Sequence, residues 1–213
     1  MKTLTIDKKI GGFSAPSKMP WLSYSISARR CKTGGKLRKV KGTICSKCYA
    51  FRGNYRWEVV RKAHEKRFWA MSRQNWVSNM VMALRSRLIE TPKYQRFFRW
   101  FDSGDIQSLK NLQNIVKIAE LVPEVQFWLP TQERGIVQEF LRSGEIFPQN
   151  LNVRISAPLV GVQVKPIEGT TTSCVNVNSE GVFQCPSSTQ NNKCVDCRAC
   201  WNRDIKTVSY KGH

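Results

Sequence analysis

Eight of the 213 residues are cysteine, and seven of them fall into two sets spaced for thiolate ligation. Cys31, Cys45 and Cys48 share one glycine-containing basic loop, with C-x-x-C at its end. Cys185, Cys194, Cys197 and Cys200 form the second set, and two successive two-residue gaps close it. That run resembles ferredoxin-like iron–sulfur spacing more than the pair-spacer-pair of a zinc ribbon. One or two [4Fe-4S] clusters are therefore expected, with zinc as the alternative. A cubane takes four thiolates, or three if one iron is to bind a substrate or cofactor. Cys174 is the candidate fourth ligand of the first set. His64 is the other, although it reads more simply as a packed or surface histidine. Arg29, Arg30, Lys32, Lys36, Lys47 and Arg52 surround the first set and are expected to lower its thiol pKa values.

A second constellation is carboxylate. Asp102 and Asp105, with Glu133, could act as acid, base or divalent-ion ligands. Ser103, Gly104, Thr131 and Ser156 lie beside them in the chain pattern and are expected to face a cofactor or substrate. Gly104 permits close approach or positive φ. The plain alternative is capping, with Asp105 or Ser108 closing the start of the next helix.

Charge points to the partner. Lys and Arg number 35 against 15 acids, a net charge of +20. Residues 29–73 hold 15 of the basic residues and two of the acids. A polyanion, DNA or RNA, is the partner this implies. Arg29, Arg30, Lys32, Lys36, Arg38, Lys39, Lys41 and Arg52 are the candidate phosphate contacts. Tyr49, Phe51, Tyr55 and Trp57 are candidates for base stacking, with Trp57 reading more simply as core. No apolar run is long enough to span a membrane, and the start lacks the apolar core of a signal peptide. Eight cysteines without an export signal argue for metal rather than disulfides.

The elements that must position these groups follow from periodicity. Alternation at 21–27 predicts a strand feeding the first cysteine loop. Helical stripes are expected over 55–72, 75–90, 107–121 and 134–142. Strands are expected at the start of 97–106 and over 125–133, 151–159 and 172–177. Residues 1–20 read as an irregular or edge-strand arm. The order predicts an α/β protein with a mostly parallel sheet of about five strands, either partial TIM-barrel-like or open. Ligands then lie beyond the carboxyl ends of the strands, where both aspartates and the cysteine loop fall. The expected division is an α/β core over 1–177 and a cysteine-rich segment over 178–213, packed on the core and held by metal.

Several stretches carry a family resemblance. They are K-M-P-W-L-S-Y-S at 18–25, C-K-T-G-G-K-L at 31–37, C-S-K-C-Y-A at 45–50, F-R-W-F-D-S-G-D-I-Q-S at 98–108, F-W-L-P-T at 127–131, V-R-I-S-A-P at 153–158 and C-V-D-C-R-A-C-W at 194–201. Through them nearly the whole chain resembles the bacteriophage gene-product-88 family, whose function is unsettled. The family often has histidine at the position of Phe101. The resemblance implies a phage protein in the cytoplasm of an infected bacterium. A looser resemblance is to radical S-adenosylmethionine enzymes, which place three cysteines after the first strand of a partial barrel. That resemblance implies S-adenosylmethionine as a cofactor and an auxiliary cluster on the last four cysteines. The thirteen-residue gap between Cys31 and Cys45 departs from that pattern.

Overall fold

The computed structural model describes residues 3–212. Its seven strands form one sheet in the order β1-β2-β3-β4-β5-β7-β6. They are β1 (Ser23–Tyr24), β2 (Phe97–Trp100), β3 (Gln126–Thr131), β4 (Leu151–Ser156), β5 (Thr171–Val175), β6 (Val182–Gln184) and β7 (Thr207–Tyr210). Every pairing is parallel. The sheet is open, with β1 and β6 at its edges. The expected class holds, but the sheet is larger than expected and parallel throughout.

The helices are α1 (Thr3–Ile10), α2 (Thr33–Leu37), α3 (Glu58–Met71), α4 (Trp76–Leu88), α5 (Leu109–Leu121) and α6 (Arg134–Arg142). Strand alternation sorts the two faces of the sheet. Phe98, Trp100, Phe127, Leu129, Leu151, Val153 and Ile155 turn to the helices and make the main core with α1, α3, α4, α5 and α6. Phe97, Trp128 and Val208 turn the other way, where Ala199, Cys200 and Trp201 cover them. Helices thus cover one face, and the cysteine-rich segment covers part of the other.

One expectation is corrected. The arm at 1–20 contains a helix, α1. Its Ile10 is fully buried, and the buried Tyr24 hydroxyl lies 2.6 Å from the Ile10 carbonyl and 3.0 Å from the Arg67 carbonyl. Asp7 also pairs with Arg87 of α4. Eight residues are too few for a helix to persist alone, so docking makes this one. Residues 178–213, expected to pack on the core as a cysteine-rich segment, also contribute β6 and β7 to the sheet. These strands are three and four residues long, too short for alternation to reveal them.

Arg154 joins this segment to the sheet. It is fully buried in β4. Its Nη1 donates to the Thr172 carbonyl at 2.7 Å. Its Nη2 lies within 3.1–3.3 Å of the Ala199, Asn202 and Ile205 carbonyls. Asn152, two residues earlier on the same face, donates to the Cys200 carbonyl at 2.9 Å. Trp201 donates its indole N–H to the Phe98 carbonyl at 2.8 Å.

Candidate functional site: two cysteine groups on one sheet

The first cysteine loop lies over the carboxyl ends of β2 and β3. Glu133 holds it there: one carboxylate oxygen accepts from the Thr33 N–H and the other from the Thr33 hydroxyl, both at 2.7 Å. Lys32 adds a hydrogen bond to the Gln107 carbonyl at 2.6 Å. Gly34 closes the packing, since a Cβ there would sit 3.3 Å from Cys31 Cβ and 3.5 Å from Cys45 Sγ.

Cys31, Cys45 and Cys48 are partly buried and near one another. Burial raises all three thiol pKa values, Cys45 to about 11. Asp105 and the neighbouring cysteines push Cys31 and Cys45 further up. This corrects the expectation that the basic loop lowers them. Of the basic residues, Arg38 pulls Cys48 downward, against the larger effect of burial.

The three carboxylates are engaged by donors of the chain. Asp105 accepts from the Thr131 hydroxyl at 2.6 Å and from the Gln132 and Ile106 N–H groups at 2.8 Å. Burial lifts its pKa to about 7 despite these donors. Asp102 accepts from the Ser23 hydroxyl at 3.0 Å and the Tyr55 hydroxyl at 2.8 Å. Thr131 also accepts from the Glu133 N–H at 2.9 Å. Ser108, not Asp105, caps α5, accepting from the Asn111 N–H.

The turn after β2 is conformationally demanding. Phe101 has φ +50° and Gly104 φ +89°. A Cβ on Gly104 would lie 2.3 Å from Ile26 Cγ1 and 2.9 Å from the Ile26 carbonyl oxygen. Gly104→Ala is expected to cost about 2–4 kcal/mol, by left-handed backbone strain and by overpacking. Chemical denaturation would read it as a lower midpoint with unchanged slope. A midpoint within error of wild type would show that the turn relaxes freely. Ser103 lies buried in this turn with its hydroxyl unpartnered among the described residues.

Ser156 stands apart from that turn. It lines a hollow of about 410 Å³ with Thr33, Leu37, Gln132, Arg134, Ile155, Pro158, Val164 and Lys165. That volume is in the range of small-molecule sites. Thr33 belongs to the cysteine loop, so the hollow adjoins the first thiol group.

The second group gathers Cys185, Cys194, Cys197 and Cys200 against Trp128 and Trp201. Burial raises Cys194 and, to about 12, Cys200. Cys185 pushes both further up. Cys200 Sγ is 3.2 Å from the Tyr210 hydroxyl. Trp201 is 4% exposed and meets Phe97 and Trp128 edge-on.

Cys174 joins neither group. It is buried in β5 in a small cluster with Ala157 and Val182, its thiol 3.8 Å from the Val208 carbonyl. Among the described residues, no group of three or more His, Cys, Asp or Glu side chains converges on a point where it could hold a single metal ion.

Arg99 lies between the two thiol groups and was missed from sequence. Its guanidinium is 4.4 Å from the Trp128 ring centroid and donates to the Tyr49 hydroxyl at 3.4 Å. Tyr49 follows Cys48 and donates to the Asp102 carbonyl. Arg99 also opposes the upward shift at Cys194. A single arginine in a strand of aromatics was the only available signal.

The candidate phosphate contacts divide. Arg30 pairs with Glu65 at 2.7 Å and lies over Phe68. Lys32 is tied to Gln107, and Arg38 stacks 3.7 Å from the Phe51 centroid. Arg29, Lys36, Lys39, Lys41 and Arg52 are exposed.

Fold and site together define an all-parallel α/β protein that seats a three-cysteine loop and a four-cysteine segment on one sheet. The chain belongs to the gene product 88 family, whose model matches residues 2–203. No curated protein and no solved structure matches it. No helix among the described residues is long and apolar enough to cross a membrane.

Proposed function

We propose that this is a phage iron–sulfur protein that works on nucleic acid in the infected cell, with S-adenosylmethionine or another small molecule in the hollow beside Thr33. The observation that carries this reading is the gathering of seven cysteines into a three and a four. Thiols crowded in partly buried places repel one another once ionised, and a bound cationic centre removes that cost. A polynuclear cluster holds its thiolates further apart than one ion does, which suits groups that are neighbours without a common point. Cys31, Cys45 and Cys48 would hold one cluster, and Cys185, Cys194, Cys197 and Cys200 the other. Such clusters supply electron transfer, and a three-cysteine cluster also supplies an open iron.

The chain's own residues set the surroundings. Glu133 and Lys32 orient the loop, Trp201 and Trp128 exclude water from the second group, and Arg99 places positive charge between the two. A carboxylate-metal nuclease is the weaker reading, because Asp105 and Glu133 each turn both oxygens to protein donors. A non-enzymatic DNA- or RNA-binding protein with structural metal is the remaining alternative.

The test is iron, sulfide and zinc content after purification without oxygen, with visible and paramagnetic resonance spectra. About eight irons per chain are expected for two cubanes. Zinc without iron would overturn the reading. Addition of S-adenosylmethionine should then perturb one cluster's spectrum. Without perturbation or reductive cleavage, the enzyme reading gives way to the binding protein.

A further inference from the structure

A second hollow, about 230 Å³, lies on the outer flank of the cysteine loop. Three stretches build it: Ser27 and Arg29 after β1, Phe51, Tyr55 and Arg56 after the cysteine loop, and Arg61 and His64 from α3. We propose that this hollow binds one phosphate group. This goes beyond the proposed function by naming a contact. It rests on that reading only for the source of the phosphate, a polynucleotide.

Three observations support it. First, the local acids are engaged elsewhere. Glu58 pairs with Lys62 and Glu65 with Arg30, both at 2.7 Å, and Asp102 is held by Ser23 and Tyr55. Among the described residues, Arg29, Arg56 and Arg61 have no ion pair. Three guanidiniums around one concavity repel each other unless an anion sits between them, and their planar forks match phosphate oxygens. Second, His64 is 4% exposed, and neither ring nitrogen has a hydrogen-bond partner among the described residues. Its contact is the Tyr55 ring, 6.0 Å between centroids. A buried imidazole at the wall of a basic hollow is a ready donor to an anion. Third, the volume falls below the usual small-molecule range and suits a phosphate group rather than a whole nucleotide.

The experiment uses the full chain and the double variant Arg56→Gln/Arg61→Gln. Both side chains are exposed, so the fold should tolerate the change. The control is Lys93→Gln/Lys110→Gln, two exposed lysines outside the hollow. Inorganic phosphate is titrated against thermal stability at constant ionic strength. Single-stranded oligonucleotide binding is followed by anisotropy across a salt series. Phosphate should raise the melting temperature of the wild type and the control, and not of the arginine variant. The arginine variant should also lose about tenfold in oligonucleotide affinity, with a salt slope shallower by about 1. Equal phosphate stabilisation of all three proteins would overturn the site, as would its equal loss from the lysine control. If phosphate stabilisation is lost but oligonucleotide affinity is unchanged, the site stands and its phosphate comes from a small molecule. If no protein binds oligonucleotide while phosphate still discriminates, the nucleic-acid reading fails and the site survives.

Discussion

On the proposed two-cluster reading, replacing Cys194 with alanine is expected to remove about half of the iron and leave the other cluster's spectrum intact. Cys194 lies at the centre of the second group, close enough to Cys185 and Cys197 that each raises its thiol pKa. Its N–H also donates to the Lys18 carbonyl at 2.9 Å, which ties the segment to the chain before β1. Loss of one thiolate from a four-thiolate set leaves an open coordination position, and such clusters are lost readily to oxygen or chelator. The companion variant is Cys174→Ala. Cys174 packs against Ala157 and Val182 away from both groups, so its iron content should match the wild type. Its stability should fall by about 1 kcal/mol for the small cavity. Iron assay and resonance spectra on the two variants side by side decide the matter. If Cys174→Ala loses iron and Cys194→Ala does not, the assignment of ligands is wrong.

Arg154→Met is expected to loosen the cysteine-rich segment whether or not metal is bound. The guanidinium is the donor for three carbonyls of the segment and one of β5, and none of it reaches water. Methionine fills the space but leaves those buried acceptors without a donor. Each unsatisfied acceptor costs about 1–3 kcal/mol, and partial rehydration reduces the sum. A loss of about 3–5 kcal/mol follows, near that for breaking a buried charge network. Hydrogen exchange should show it as lost protection in β6, β7 and residues 199–205, with α4 and α5 unchanged. Arg154→Lys should recover little, because an ammonium cannot span four carbonyls set around a planar fork. Uniform loss of protection across the whole chain would show that Arg154 stabilises the fold globally rather than holding the segment.

The helices were the most legible part of the sequence. The stripes at 55–72, 75–90, 107–121 and 134–142 match α3, α4, α5 and α6 closely, because each buries one apolar face in the main core. β3 and β4 were legible too, as apolar runs buried within a parallel sheet. α1 escaped because a leucine and two isoleucines are too few to signal a helix that exists by docking. β6 and β7 escaped because a turn-rich stretch conceals strands of three and four residues.

The two cysteine sets followed from spacing alone, since ligand pairs two residues apart need no long-range information. Which residues stand beside them did not. Asp102, Asp105 and Glu133 read from sequence as a carboxylate trio, and only the fold shows what occupies their oxygens. Cys174 read as a ligand because its strand ends on the right side of the sheet. Pairing with β7 directs its thiol into a separate apolar cluster. Arg99 and Arg154 carried no local signal, as one charged residue in a strand looks like any other. Their roles depend in part on groups 45 to 50 residues away in the chain. Composition, charge and short-range spacing determined the α/β class, the basic character and the cysteine sets, because these depend on nearby residues. Tertiary structure decided the sheet's seven strands, the seating of both cysteine groups and the basic hollow at His64, because each needs segments that meet only in the folded chain.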